Sequence, residues 1–444
     1  MVHPGVRVAW LTAAGLVAGL VAGSAEAAGF YLQDQSVRGV GRAHAGDGAI
    51  ADDASTIYFN PAGMTQLKQA EFDFGLNLIM PHTGVTDLGS TATTPGTGGG
   101  PLPFTGNDGG NPFSPAPVGH LYLAMPLKDD RTWLGLGLSA PFGLNVRYTP
   151  GWFGRYDSTK TVLKTIDMAP TVAYKIADYL SVGGGIDVQY ATAKLENAIP
   201  NPLNAGGPTA ATDGALRAKG DDWSVGFNAG VLITPMTGTR IGLHYRSAVT
   251  HHLHGDTMIS GLTGLLSSFN GSTATTAEID LPDIATFAVA HDVTPDLTLL
   301  AHVMWFGWTR FNEVRLKFAN GSADSVIPEN YENTLAFALG AEYAAAPHWR
   351  VRGGFQYDET PTINGFRDTR VPDGSRYWFS GGATYAVTDN LDADFSYAHV
   401  LFDDTNVALT RTFFDGTAVA SAINLNGALS TTVDFVSFSL RYRF

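Results

Sequence analysis

The chain has 444 residues, with 27 Lys and Arg against 41 Asp and Glu, a formal charge of −14. That acidic excess argues against a nucleic-acid partner, which needs clustered cations to neutralise phosphate, and the absence of cysteine excludes disulfides, thiolate metal sites and Cys nucleophiles. With 52 Gly, 11% aromatic and only 15% charged residues, against about 25% in average soluble domains, the chain is neither disordered nor bound to be soluble.

Arg7 precedes an apolar run over 8–23, shorter than the roughly 20 residues a helix needs to cross a bilayer. Ser24-Ala25-Glu26-Ala27 then puts small residues where a signal peptidase cuts. A signal peptide over 1–27 is expected, leaving Ala28-Gly29-Phe30 as the mature start; a retained anchor conflicts with the length of the run. Residues 28–70 lack strand alternation. Their small residues (39–54) permit close packing, and Asn60-Pro61-Ala62 favours a turn, because proline fixes its own backbone and restricts Asn60. This segment reads either as an ordered periplasmic leader or as a plug inside whatever follows.

From Glu71 onward the chain alternates with period two. Glu71-Phe72-Asp73-Phe74-Gly75-Leu76 and Leu391-Asp392-Ala393-Asp394-Phe395 each carry one apolar and one polar face. Fourteen strands are expected, beginning near Glu71, Val118, Thr132, Ile166, Ser181, Asp222, Arg240, Glu278, Leu297, Asn333, His348, Arg376, Leu391 and Thr431. Brief turns (127–131, 177–179, 234–239, 293–296, 344–347, 388–390) alternate with long connections (81–116, 141–165, 195–221, 255–277, 319–332, 359–375, 403–430). Strict alternation of this kind is what an up-and-down barrel with periplasmic turns and extracellular loops produces; a Greek-key sandwich does not sort its loops so. The expected fold is all-β: a transmembrane antiparallel barrel of about 14 strands over 71–444. A barrel that wide cannot be filled by side chains alone, which favours a hatch in the lumen. Gly135 and Gly137 interrupt the third strand and would let it kink inward.

The last strand alternates Val436, Phe438, Leu440, Tyr442 and Phe444 with Ser437, Ser439, Arg441 and Arg443. Its final Phe resembles the C-terminal signal read by the barrel assembly machinery of the Gram-negative outer membrane. Trp133 and Trp349 fall at turn ends and Trp223, Trp305, Trp308 and Trp378 at loop ends, where two aromatic belts facing outer-membrane lipid and lipopolysaccharide are expected.

Gly39 to Ala43 (Gly-x-Gly-Arg-Ala), Gly46 to Ala54 (Gly-x-Gly-Ala-Ile-Ala-Asp-Asp-Ala) and Asn60-Pro61-Ala62 follow Ala28-Gly29-Phe30 at matching spacing, and with Pro141-Phe142-Gly143, Trp152-Phe153-Gly154-Arg155-Tyr156, Tyr245-Arg246-Ser247 and 352–358 the mature chain resembles the FadL-type outer-membrane transporters of long-chain fatty acids. The resemblance implies an N-terminal hatch, a kinked third strand that opens the wall, and sideways exit of a hydrophobic substrate; relatives carry toluene-like hydrocarbons. It implies a basic contact from Arg155 to a fatty-acid carboxylate, which Arg's planar fork suits; the alternative is neutralisation by a neighbour such as Asp157. Lys317, alternating with Val314, Leu316 and Phe318, is a second substrate candidate, and Phe30 a gate that fills the pocket. Asn60-Pro61-Ala62 would hold the hatch turn beside a gap at Gly135 and Gly137.

No Gly-x-Ser-x-Gly elbow or His-Glu-x-x-His is present, so no catalytic residue, cofactor or metal is assigned, although a wall-mounted Ser–His acyl hydrolase needs no elbow. His251, His252 and His254 read as a polar rim, because adjacent side chains on a strand point to opposite faces. Ile259, Leu262, Leu265, Leu266 and Phe269 suggest an apolar helical stripe, a landing surface for greasy ligands. The loop 81–116, mostly Gly, Pro, Thr and Ser, reads as mobile. A monomer that carries fatty acids by diffusion is the expectation, with monoaromatic hydrocarbons as the alternative cargo and a structural porin as the alternative class.

Overall fold

Period-two alternation becomes an inside-out wall. The computed structural model describes residues 29–444; the expected signal peptide lies outside them. The barrel strands are β1 (Glu71–Asp87), β2 (Ala116–Pro126), β3 (Thr132–Ser139), β4 (Lys160–Ala177), β5 (Leu180–Ile199), β6 (Gly214–Met236) and β7 (Thr239–Arg246). They continue as β8 (Ile284–Asp292), β9 (Leu297–Phe306), β10 (Thr334–Ala346), β11 (Trp349–Asp358), β12 (Arg376–Ala386), β13 (Leu391–Phe402) and β14 (Ser421–Arg443). Each pairs antiparallel with the next, and β14 closes on β1 from Glu71↔Arg443 to Asp87↔Gly427. Closure gives every strand two neighbours, the arrangement by which strands span lipid. Along β14, Phe438 is 50% exposed while Ser437 and Ser439 are at 2% or less: the apolar row faces out and the polar row faces in.

Several strands run further than their sequence pattern. β1 continues through Pro81 to Asp87, β5 and β6 extend to Ile199 and back from Gly214, and β14 starts at Ser421. Beyond the lipid no apolar outer row is required, so the ladder persists while the alternation fades. The eighth barrel strand starts at Ile284 rather than near Glu278: Pro282 separates it from Gly271–Leu281, a loop strand that pairs with Val249–Ser260 and Glu313–Phe318. The stripe 259–269 is likewise no amphipathic helix. Gly261 and Gly264 have positive φ, leaving only a single 3-10 segment, Gly264–Phe269, in which Leu266 is buried with Leu262 and Ile199. Leu265 and Phe269 stand exposed at its tip. The aromatic belts also need correction. Trp223 and Trp349 are exposed, but Trp133, Trp308 and Trp378 are buried in the interior, Trp133 packing with hatch residues Ile57 and Met64 and Trp378 against Phe435.

Residues 29–70 fill the lumen with α1 (Val37–Gly41), α2 (Asp47–Ile50), α3 (Thr56–Phe59) and a 3-10 turn, Pro61–Gln66. Barrel glycines make room for them. A Cβ at Gly242 would meet the Gly48 carbonyl, one at Gly354 the Arg42 carbonyl, and one at Gly183 the Ala62 backbone.

Candidate functional site

The hatch is held in two ways. Its body is clamped by charge: Arg38 lies 2.6 Å from Asp52 and 3.0 Å from Asp394 of β13, and Arg42 bridges Asp47 at 3.1 Å and Glu342 of β10 at 3.5 Å. Asn60 donates through Nδ2 to the Gly48 carbonyl at 2.8 Å and the Val231 carbonyl of β6 at 3.0 Å, and its Oδ1 accepts from the Ala62 amide. Asn60-Pro61-Ala62 therefore sits against β5 and β6, not beside the third strand. What faces β3 is Ile57 and Met64: a Cβ at Gly135 would meet Thr171, Met64 and Ile57, and one at Gly137 would meet Ile57 and Tyr122. Gly135 and Gly137 remain inside the ladder, opposite Ala124 and Tyr122.

The break comes later, at Ala140-Pro141-Phe142. Ser139 pairs with Asp167 and Gly143 with Lys164, so three residues on this side (140–142) oppose two (165–166) on the other, a bulge at a residue with no N–H to give. The β2 ladder to β3 begins only at Leu121↔Leu138, leaving Ala116–His120 without a partner on that side. The hatch's first residues occupy the break from within. The Leu32 amide donates to the Pro141 carbonyl at 2.8 Å and the Gly143 amide to the Phe30 carbonyl at 2.9 Å. Gln35 accepts from the Ala140 amide at 3.1 Å and donates to its carbonyl at 3.0 Å.

Above this segment lies an apolar cavity, partly open to solvent, walled by side chains such as Leu144, Leu163, Leu195 and Leu316. Phe30 is one of its walls, set edge-on to Trp308 at 4.9 Å and Phe311 at 5.0 Å. Arg155 is not. Its Nε meets Asp213 at 2.8 Å, its Nη2 donates to the Tyr156 hydroxyl at 2.7 Å, and its guanidinium stacks 4.4 Å from the Tyr156 ring. Burial raises the Asp213 carboxyl even against that pairing. The partner is thus Asp213 and not Asp157, whose carboxylate accepts from the Thr369 amide at 2.8 Å and pairs with Arg411 at 2.6 Å. Lys317 belongs to Glu313–Phe318, which pairs with Gly271–Leu281 and is no extension of β9; it is exposed, on the face opposite Val314 and Leu316. His251 points inward to Gln189 and Asp222, whereas His252 is exposed beside Glu278.

Polar residues that sequence reasoning passed over do line the cavity: buried Arg370 and Glu329, and exposed Lys219. Arg370 was legible as part of the charge-dense run Arg367-Asp368-Thr369-Arg370 in a chain poor in charge. Burial, with Asp368 adding to it, pushes the Glu329 carboxyl well above the ordinary range despite Arg411 and Arg370.

Residues 18–444 match the family described as outer membrane protein transport protein (OMPP1/FadL/TodX). The chain is 30% identical over 410 residues to a long-chain fatty acid transport protein of Escherichia coli O6:H1, covering 86% of this chain and 89% of that one. It is 28% identical to outer membrane protein P1 of Haemophilus influenzae, covering 96% and 97%. A solved Pseudomonas aeruginosa FadL homologue superposes with a TM-score of 0.83 at 25% identity, over 94% of this chain and all of that one. The Ralstonia pickettii toluene transporter TbuX, at 20% identity and a TM-score of 0.62 over 88% and 94%, shares the fold. The chain belongs to the OMPP1/FadL/TodX family, as an outer-membrane β-barrel that transports hydrophobic compounds.

Proposed function

We propose that the cargo is a long-chain fatty acid, taken up in the apolar cavity and released sideways into the membrane at the break in β3. The observation that carries this reading is continuity: Phe30 walls the cavity with its side chain while its carbonyl accepts the hydrogen bond from Gly143 beside the break. Moving residues 30–35 therefore reshapes the pocket and frees the wall in a single motion. The name of the Escherichia coli relative points to the same cargo. Burial of an acyl chain gains about 0.8 kcal/mol per methylene, or roughly 12 kcal/mol for sixteen carbons before ordering costs, so a rigid cavity would release its ligand slowly. A moving wall removes that trap.

The route is tested with Tyr31→Cys and Phe142→Cys, which stand opposite each other in an antiparallel bridge in a chain with no cysteine. The oxidised pair blocks uptake of labelled oleate in cells that depend on this protein, and reductant restores it; undiminished uptake by the cross-linked barrel rejects sideways exit. Oleate against toluene uptake in the unaltered protein decides the cargo, and stimulation of toluene entry alone replaces the fatty-acid reading with the hydrocarbon one.

A further inference from the structure

Arg370 is 5% exposed and lines a cavity that is otherwise mostly apolar. Its Nη2 donates to the Asp157 carbonyl, but Nε and Nη1 make no hydrogen bond among the described residues, and the nearest carboxylate oxygen, from Asp368, lies 3.6 Å from Nε. The neighbouring acids are committed elsewhere. Asp157 accepts from Thr369 and Arg411, and Asp368 accepts from the Arg370 and Val371 amides and from Arg411. A buried guanidinium with unused N–H groups carries the full cost of its desolvation, and this one borders a pocket shaped for hydrocarbon.

We propose that Arg370 is the head-group anchor of the cavity, binding the carboxylate of a ligand whose chain lies along Leu163, Leu195 and Leu316. This rests on the fatty-acid reading above and assigns the head group to a residue other than Arg155, whose guanidinium is already satisfied. A carboxylate supplies the hydrogen-bond acceptors that Nε and Nη1 of Arg370 lack, and charge-assisted bonds of this kind are about twice as strong as neutral ones. Glu329, also on the lining, opposes it little, because burial with Asp368 beside it raises its carboxyl well above the ordinary range and so favours the neutral form. Lys219, exposed on the same lining, is the competing cation and serves as the control.

The experiment compares binding of palmitic acid and methyl palmitate to the purified full-length barrel, with heat-modifiable gel mobility reporting the fold. The unaltered protein binds the acid at least tenfold more tightly than the ester. Arg370→Gln abolishes that ratio by weakening the acid alone, Arg370→Lys keeps part of it, and Lys219→Ala keeps it whole. Should Arg370→Gln fail to assemble, the acid-to-ester ratios of the unaltered, Arg370→Lys and Lys219→Ala proteins decide. Equal affinity for acid and ester, equal loss of both in Arg370→Gln, or disappearance of the ratio in Lys219→Ala overturns the anchor while leaving palmitate a ligand. Binding of toluene with neither palmitate species bound overturns the fatty-acid reading itself.

Discussion

The hatch contains two regions built on opposite physics. In the body, 37–66, Arg38 and Arg42 reach across to the wall carboxylates Asp394 and Glu342, and Arg441 of β14 returns a bond to the Asp52 carbonyl at 2.7 Å. Burial alone would raise the Asp52 carboxyl, but Arg42 and Arg38 outweigh it and hold it well below the ordinary range. In the leading segment, 29–36, no ion pair reaches the wall among the described residues; backbone and amide hydrogen bonds and aromatic edges hold it. Its one acid, Asp34, is pushed up to about 6 by burial, which its backbone bond and the facing His44 and His120 offset only in part, and its Oδ2 has no hydrogen-bond partner. A charge whose partners are in place resists displacement, whereas one that ionises without partners weakens its surroundings. The body is the more firmly held part of the hatch, and the segment beside the cavity and the wall break is the more weakly held one.

The largest effect should come from the clamp. Arg38→Ala leaves Asp394 and Asp52 short of a partner in the lumen, and breaking a buried pair costs about 3–5 kcal/mol. Denaturant unfolding should shift accordingly, and ion conductance through the barrel should rise as the plug loosens. An unchanged midpoint with unchanged conductance would show that the network is dispensable and would erase the contrast between the two regions.

Next comes Asp34. Its folded value of about 6 lies above the ordinary carboxyl, so the protonated form favours the docked segment. That contribution is complete below about pH 4 and is lost as pH rises through 6. A shift of about two units corresponds to roughly 2–3 kcal/mol by pH 8. Hydrogen exchange of residues 30–36 should therefore accelerate between about pH 4 and 6 beyond its intrinsic dependence and gain no further excess above about pH 7, and Asp34→Asn should flatten that excess. Exchange that shows no such excess would mean the segment is not the weaker half. Gly354→Ala follows. The new methyl meets the Arg42 carbonyl, and overpacking of this kind costs about 1–3 kcal/mol, read as a lower unfolding midpoint with the exchange of 30–36 unaltered.

Barrel and strand count were legible because lipid imposes a strict period of two and short turns alternate with long loops. Limits of the strands were not, since above the membrane nothing in β6's Gly214–Asp222 stretch needs an apolar row. The wall break was misplaced for a related reason. Gly135 and Gly137 look like weak points in a strand read alone, yet their missing side chains are filled by Ile57 and Met64, and the signal that mattered was Pro141. Arg155 stood out through its aromatic setting. No local pattern reveals that Asp213, 58 residues on, satisfies it, or that Arg370 is left unsatisfied.

The smallest effect isolates the hinge between the two regions. Gln35 is fully buried, and its amide accepts from the Ala140 N–H and donates to the Ala140 and Leu32 carbonyls. It is the side chain that ties the segment to the bulge, one residue before the α1 cap at Ser36. Gln35→Ala should cost about 1 kcal/mol net, a roughly fivefold change in the open population. If the segment moves by itself, the global unfolding midpoint stays put while exchange of the Gly143 amide, bonded to the Phe30 carbonyl, speeds up about fivefold. Oleate uptake rises with it wherever opening limits the rate. If instead the midpoint falls and Gly143 exchange keeps its rate relative to the amides of 37–66, the segment and the body open as one unit, and the hatch must leave the lumen whole for anything to pass.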